Sequence, residues 1–154
     1  IVDLSCPKNR PDPVLSALVE VVPIAGYAAL VDLLSAWEAL LLAHPFDADE
    51  AIRHADRRGE ALEELSCAVL KVDVPVGSTI GSNWAATDLA LHVGDPDIRA
   101  ALFDHVVRGP NNATGAPRAL KALVGWSRRI AARRGKRAPL RDQFYLLRMG
   151  MIGR

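Results

Sequence analysis

Aromatic side chains make up only 5% of this 154-residue chain. That is too few for the aromatic and β-branched pattern of a sheet protein, while the abundant Ala and Leu favour helices. Cysteine is equally scarce. Cys6 and Cys67 are the whole set, and without a secretory pattern they are expected as reduced thiols rather than a disulfide. Residues 21–46 are the most apolar stretch, but Pro23, Asp32, Glu38 and His44 interrupt it. It falls short of the roughly 20 uninterrupted apolar residues of a spanning helix, so a core helix is expected and no membrane partner.

Chemical signatures are missing too. There is no Walker A sequence, Gly-rich dinucleotide loop, paired-cysteine zinc site or H-E-x-x-H. Gly77-Ser78-Thr79-Ile80-Gly81 has its serine one place early for a nucleophile elbow and reads as a turn. Glu50 and His54, four apart with Asp47 near, have the spacing of metal ligands but no second cluster, so a surface ion pair is the expectation. His44, His92 and His105 are scattered. No catalytic residue, cofactor or metal is expected, and the chain reads as a non-enzyme.

What the chain has is a charge dipole. Residues 118–154 hold 11 of the 19 Lys and Arg with a single acid, Asp142, a local charge of +10. Residues 1–117 keep 8 cations against 17 acids, or −9. A clustered cationic surface attracts polyanions whatever the total charge.

At this length one domain is expected, burying roughly 70% of the surface of its unfolded chain. The reading is all-α: a single-domain bundle of about six or seven helices with an extended N-terminal arm and a long central loop. Three prolines among residues 7–13 mark residues 1–13 as the arm. Residues 14–154 form the helical domain, with 117–154 as its basic part. The chain begins at Ile1 rather than Met, which leads us to expect a preceding segment.

A short helix can follow Pro13. In residues 24–43, Leu30, Leu33, Leu34, Trp37, Leu40 and Leu41 recur at helical spacing and are expected as core. Asp47 and Glu50 suggest a capping box for a helix reaching about Lys71, weakened midway by Gly59. Residues 72–82 read as a long loop or at most a hairpin. Ser82 is the expected cap of a helix over 83–93, and Asp95-Pro96 starts another to about Arg108. Pro117 and Pro139 open the last two, over 117–134 and 139–149.

The penultimate helix is amphipathic and basic. Leu120, Leu123, Val124 and Ile130 share one side with Trp126 near, and Arg118, Lys121, Arg128, Arg129, Arg133 and Arg134 take much of the rest. Lys136, Arg137 and Arg141 extend the run. A solvated face usually mixes signs, and this one does not, so these residues are the candidate phosphate contacts, salt-dependent and largely blind to sequence. Trp84, Trp126, Phe144 and Tyr145 are expected in the core rather than stacked on bases. The last two helices have helix-turn-helix spacing, yet the second opens Leu140-Arg141-Asp142-Gln143 with few base-reading groups.

Asn83-Trp84-Ala85 and, downstream, Arg99-Ala100-Ala101-Leu102-Phe103-Asp104 resemble the core of coat proteins of flexuous filamentous positive-strand RNA viruses. A Cys-containing helix before the loop, an Asn- and Pro-bearing turn after Phe-Asp and a final region with Arg and Asp fit the same order over roughly residues 60–154. The sequence departs at His105 and Val106, where further aromatics are usual, and it is short for such a coat. The resemblance implies a helical core with extended arms, assembly into a helical filament, and single-stranded RNA in a groove of each subunit. Arg99 would contact RNA, and Asp104 would orient a basic side chain.

The reading is therefore a structural RNA-packaging protein of coat or nucleocapsid type. It would self-associate through its arm and apolar faces and bind single-stranded RNA through Arg99, Arg118, Lys121, Arg128, Arg129, Arg133, Arg134, Lys136, Arg137 and Arg141, with Asp104 and Trp126 as structural neighbours. The virion or host cytoplasm would hold it if viral, and the cytoplasm otherwise. Two alternatives stay open: a cellular nucleic-acid-binding or regulatory helical domain, and a scaffold docking an acidic partner.

Overall fold

The computed structural model describes residues 13, 17, 20–42, 46–73, 77–136 and 138–151. Among them the protein is all-helical, without a strand. A 3-10 turn at Ile24–Gly26 leads into α1 (Tyr27–Leu42), followed by α2 (Ala48–Leu70), α3 (Ile80–His92), α4 (Pro96–Arg108), α5 (Arg118–Ala132) and α6 (Pro139–Met151). The arm assigned to residues 1–13 lies, Pro13 apart, outside the described residues, as do Cys6 and Arg137.

Local signals set several helix ends. The Asp47 carboxylate accepts the Glu50 N–H at 2.8 Å to cap α2, and Asp95 accepts the Asp97 and Ile98 N–H groups at 2.8 and 3.1 Å with Pro96 in the first turn of α4. Each such cap stabilises its helix by about 1 kcal/mol.

The start of α3 differs from expectation. It begins at Ile80 behind Thr79 rather than after Ser82. Tertiary contacts override the local cap there: Ile80 is buried, and the Thr79 hydroxyl accepts the Asn112 N–H at 3.2 Å and donates to Pro110 O at 3.2 Å. The 79–81 turn is thereby clamped to the loop after α4.

Gly59 does not weaken α2 but serves it. A Cβ built on Gly81 would overlap the Gly59 carbonyl oxygen, and one built on Gly59 would overlap Gly81 backbone. These two glycines let α2 and α3, the most extensively packed helix pair, cross almost backbone to backbone. Alanines line the rest of the seam: Ala51 and Ala55 face Ala85, Ala86 and Ala90 in a core completed by Leu102, Phe103, Val106 and Ile130.

α1 is not the core helix expected. Only Ala29, Leu30 and Ala36 are buried in it, while Leu34, Trp37 and Leu41 are 56%, 42% and 77% exposed. α1 packs chiefly on α2, so one narrow face with Leu30 is covered, Leu33 and Leu40 are half-buried, and Leu34, Trp37 and Leu41 turn outward. Ile24–Leu42 is long and apolar enough to cross a membrane by length and composition. On α6 the expectation of a core Phe144 is likewise corrected: Leu140, Phe144 and Leu147 are 71%, 72% and 59% exposed. α6 rests chiefly on α5, and Asp142 and Tyr145 make the attachment.

Candidate nucleic-acid interface

α5 carries Arg118, Lys121, Arg128 and Arg129, four of the ten candidate cations, and is fixed from its other side. Ala122, Val124, Ser127, Ile130 and Ala131 are buried against the bundle, and the buried Thr87 hydroxyl of α3 hydrogen-bonds Asn83 O at 2.9 Å and Ser127 O at 3.4 Å. Trp126 is half-buried against the main core.

The ten candidate cations then divide by what they touch. Arg128 reaches across to the C-terminal end of α4, where its guanidinium donates to Val106 O and Val107 O at 2.9 Å each, to Gly109 O at 3.2 Å and to Pro110 O at 3.5 Å. Those carbonyls end a helix and lack intrahelical donors, so a planar five-donor cation suits them. Arg134 pairs with Asp104 at 2.6 Å and donates to Ala100 O at 3.1 Å. Asp104 also holds Arg108 at 3.6 Å. Arg133 is paired with Asp142. Arg99 is exposed but donates to Val93 O at 2.7 Å. These four are engaged in holding the fold.

Five others face solvent. Arg118, Lys121, Arg129, Lys136 and Arg141 are exposed and form no ion pair among the described residues. Arg118, Lys121, Gly125 and Arg129 follow one another at spacings of three and four, a single stripe along α5. α6 crosses that stripe at Gly125, where any Cβ would strike the Tyr145 hydroxyl. The Arg129 guanidinium lies 4.3 Å from the Tyr145 ring centroid, an arrangement that leaves its N–H groups at the ring edge for an anion. α5 opens behind Pro117 without a side-chain cap, so Arg118 and Lys121 sit where the helix dipole disfavours cations. A bound phosphate would satisfy both the cations and the helix end.

Sequence reasoning missed two cations. Arg148 is exposed seven residues beyond Arg141 on α6, a spacing that could have flagged it. Arg58 lies between the rings of Trp37 and Trp84, 5.0 and 5.2 Å from their centroids, and pairs with Asp88 at 2.9 Å. Trp84, half of the Asn-Trp pair that carries the viral resemblance, is thus occupied by an internal cation. Phe144, expected in the core, is instead exposed.

The Glu50 and His54 pair is also corrected. Glu50 binds Arg53 at 2.6 Å. His54 is buried, its Nδ1 3.0 Å from Ala36 O, and burial pushes its pKa down. No group of three metal-ligating side chains occurs among the described residues. Ser78 of the glycine-flanked turn donates to Glu63, whose other oxygen accepts the Gly81 N–H at 2.9 Å.

The arrangement is an exposed cationic stripe over a helix crossing, and against known protein families, curated proteins and solved structures the chain finds no match.

Proposed function

We propose that this chain is a structural RNA-packaging subunit that self-associates and binds the phosphates of single-stranded RNA. The observation that carries the reading is the α5 stripe: Arg118, Lys121 and Arg129 share one face, exposed and unpaired with any acid among the described residues. Lys136 and Arg141 extend it into the following turn and α6. Cations aligned along one face of a rigid helix suit a phosphate chain and carry no base readout. Arg128, Arg133 and Arg134 do not belong to this surface, because Arg128 serves the carbonyls ending α4, Arg133 is half-buried against Asp142 and Arg134 pairs with Asp104. The viral coat resemblance supports the same reading, with the virion or host cytoplasm as its setting.

Binding of a fluorescent single-stranded RNA across a salt series tests it. Replacing Arg118 and Lys121 by Glu lowers affinity and reduces the log–log salt slope by roughly 0.7 for each phosphate no longer neutralised. An unchanged slope, together with electron micrographs showing separate globular particles that retain no RNA, would sink the reading.

A further inference from the structure

Two helices of this chain present apolar faces that nothing in the described structure covers. On α6, Leu140, Phe144 and Leu147 recur at i, i+4 and i+7 and are 71%, 72% and 59% exposed. On α1, Val31, Leu34, Leu41 and Leu42 form a second stripe, 44%, 56%, 77% and 74% exposed. We propose that the α6 face of one copy seats on the α1 face of a second copy, joining subunits head to tail. This deepens the self-association half of the reading above and is independent of its RNA half.

Charge selects this pairing. α1 contains no Lys or Arg, and Glu38 sits within its apolar stripe between Leu34 and Leu41. α6 carries Arg141 and Arg148 along one edge of its stripe, both exposed and without an ion pair among the described residues. Its acid, Asp142, is turned away into the Arg133 contact. An α6 face set against another α6 face would oppose arginine with arginine, and α1 against α1 would oppose Glu38 with its own copy. Only the mixed pairing brings opposite charges together around an apolar centre. The lengths agree as well: 16 and 13 residues give helices of about 24 and 20 Å. A bilayer is the poorer occupant of α1, since Glu38 would enter it unpaired.

A single α6–α1 contact leaves the pair with one free face of each kind, α1 on one subunit and α6 on the other. Where those two faces do not meet within one pair they recruit further copies, and the contact propagates into a ring or filament.

The test uses nuclease-treated, RNA-free protein and light scattering after size exclusion. One variant carries Leu34→Asp and Leu41→Asp, the other Phe144→Asp and Leu147→Asp; all four positions are exposed, and circular dichroism verifies that helix content is kept. Wild type is expected to grow beyond a dimer with concentration. Each variant is expected to stay monomeric, and an equimolar mixture to form a 1:1 dimer and nothing larger, because one intact face of each kind remains. As a second arm that spares the apolar residues, Glu38→Arg weakens assembly at least tenfold, and adding Arg141→Glu and Arg148→Glu restores it.

The proposal is overturned if wild type is monomeric at millimolar concentration, if either variant assembles like wild type, if the mixture stays monomeric, or if monomeric wild type floats with uncharged phosphatidylcholine vesicles. Loss of RNA binding with assembly intact would defeat only the packaging reading.

Discussion

The guanidinium of Arg133 donates to the carboxylate of Asp142 at 2.5 Å, so the only acid among residues 118–154 is consumed in fixing α6 to the end of α5. Asp142 also accepts the Ala138 N–H at 3.3 Å. Burial pushes its pKa up, but these bonds and the nearby Arg129 outweigh it, leaving the carboxyl below its usual range. Asp142→Asn leaves Arg133 without its counter-ion, and one Nη of that guanidinium is already buried without a partner. The expected loss is about 2 kcal/mol, below the range for a fully buried pair because the Arg133 side chain is 27% exposed. Urea unfolding should show an earlier midpoint with an unchanged slope.

Arg128 belongs to the fold rather than to a polyanion. Arg128→Lys replaces a fork that serves four carbonyls with a single ammonium, and a stability loss of about 2 kcal/mol is expected. The salt slope of RNA binding should stay at the wild-type value. A reduced slope with unchanged stability would reverse this assignment.

Gly59 and Gly81 give a prediction opposite in sign to helix propensity. Ala in place of Gly within a helix ordinarily adds about 1 kcal/mol of stability. Here Gly81→Ala drives a methyl into the Gly59 carbonyl, and the obstruction is backbone that cannot rotate away. A net loss of about 2 kcal/mol or more is expected in thermal or urea unfolding.

Two histidines pull the pH dependence in opposite directions. Burial lowers the pKa of His54 below its ordinary 6.5, with the Arg58 charge adding to the effect against the bond to Ala36. The unfolded chain then binds the proton more readily, so stability falls as pH drops below about 6.5. His105 is raised by its hydrogen bond to Asp56, 3.1 Å away, and by the Asp56 charge, against the opposing effect of burial. Its contribution is complete below the unfolded value and is lost as pH rises through the folded one. Unfolding of His105→Gln should therefore differ most from wild type at pH 5.5 and least at pH 8.5, whereas His54→Gln should flatten the acid limb.

The helical content and several boundaries were legible because their causes are local. Asp47 and Asp95 each act on N–H groups within three residues, so a pattern of neighbours suffices to see them. The start of α3 was not legible, because Ile80 and Thr79 answer to residues around 110–112 rather than to Ser82. Charge count was legible and charge use was not. Arg128 and Arg129 are neighbours in sequence, yet one is spent on the carbonyls ending α4 while the other stacks on Tyr145 and faces water. No local rule separates them, since the difference is a turn of about 100° about the helix axis.

By itself, the sequence determined an all-helical chain with an acidic body and a cationic C-terminal quarter, since composition, periodicity and capping act over a few residues. Tertiary structure alone decided which cations remain free and which apolar faces remain bare. Packing covers only one side of α1 and of α6, so stripes that periodicity marks as core lie open to solvent. Burial depends on what a helix meets in space, and that is set by long-range contacts such as the Gly59–Gly81 crossing and the Arg133–Asp142 pair.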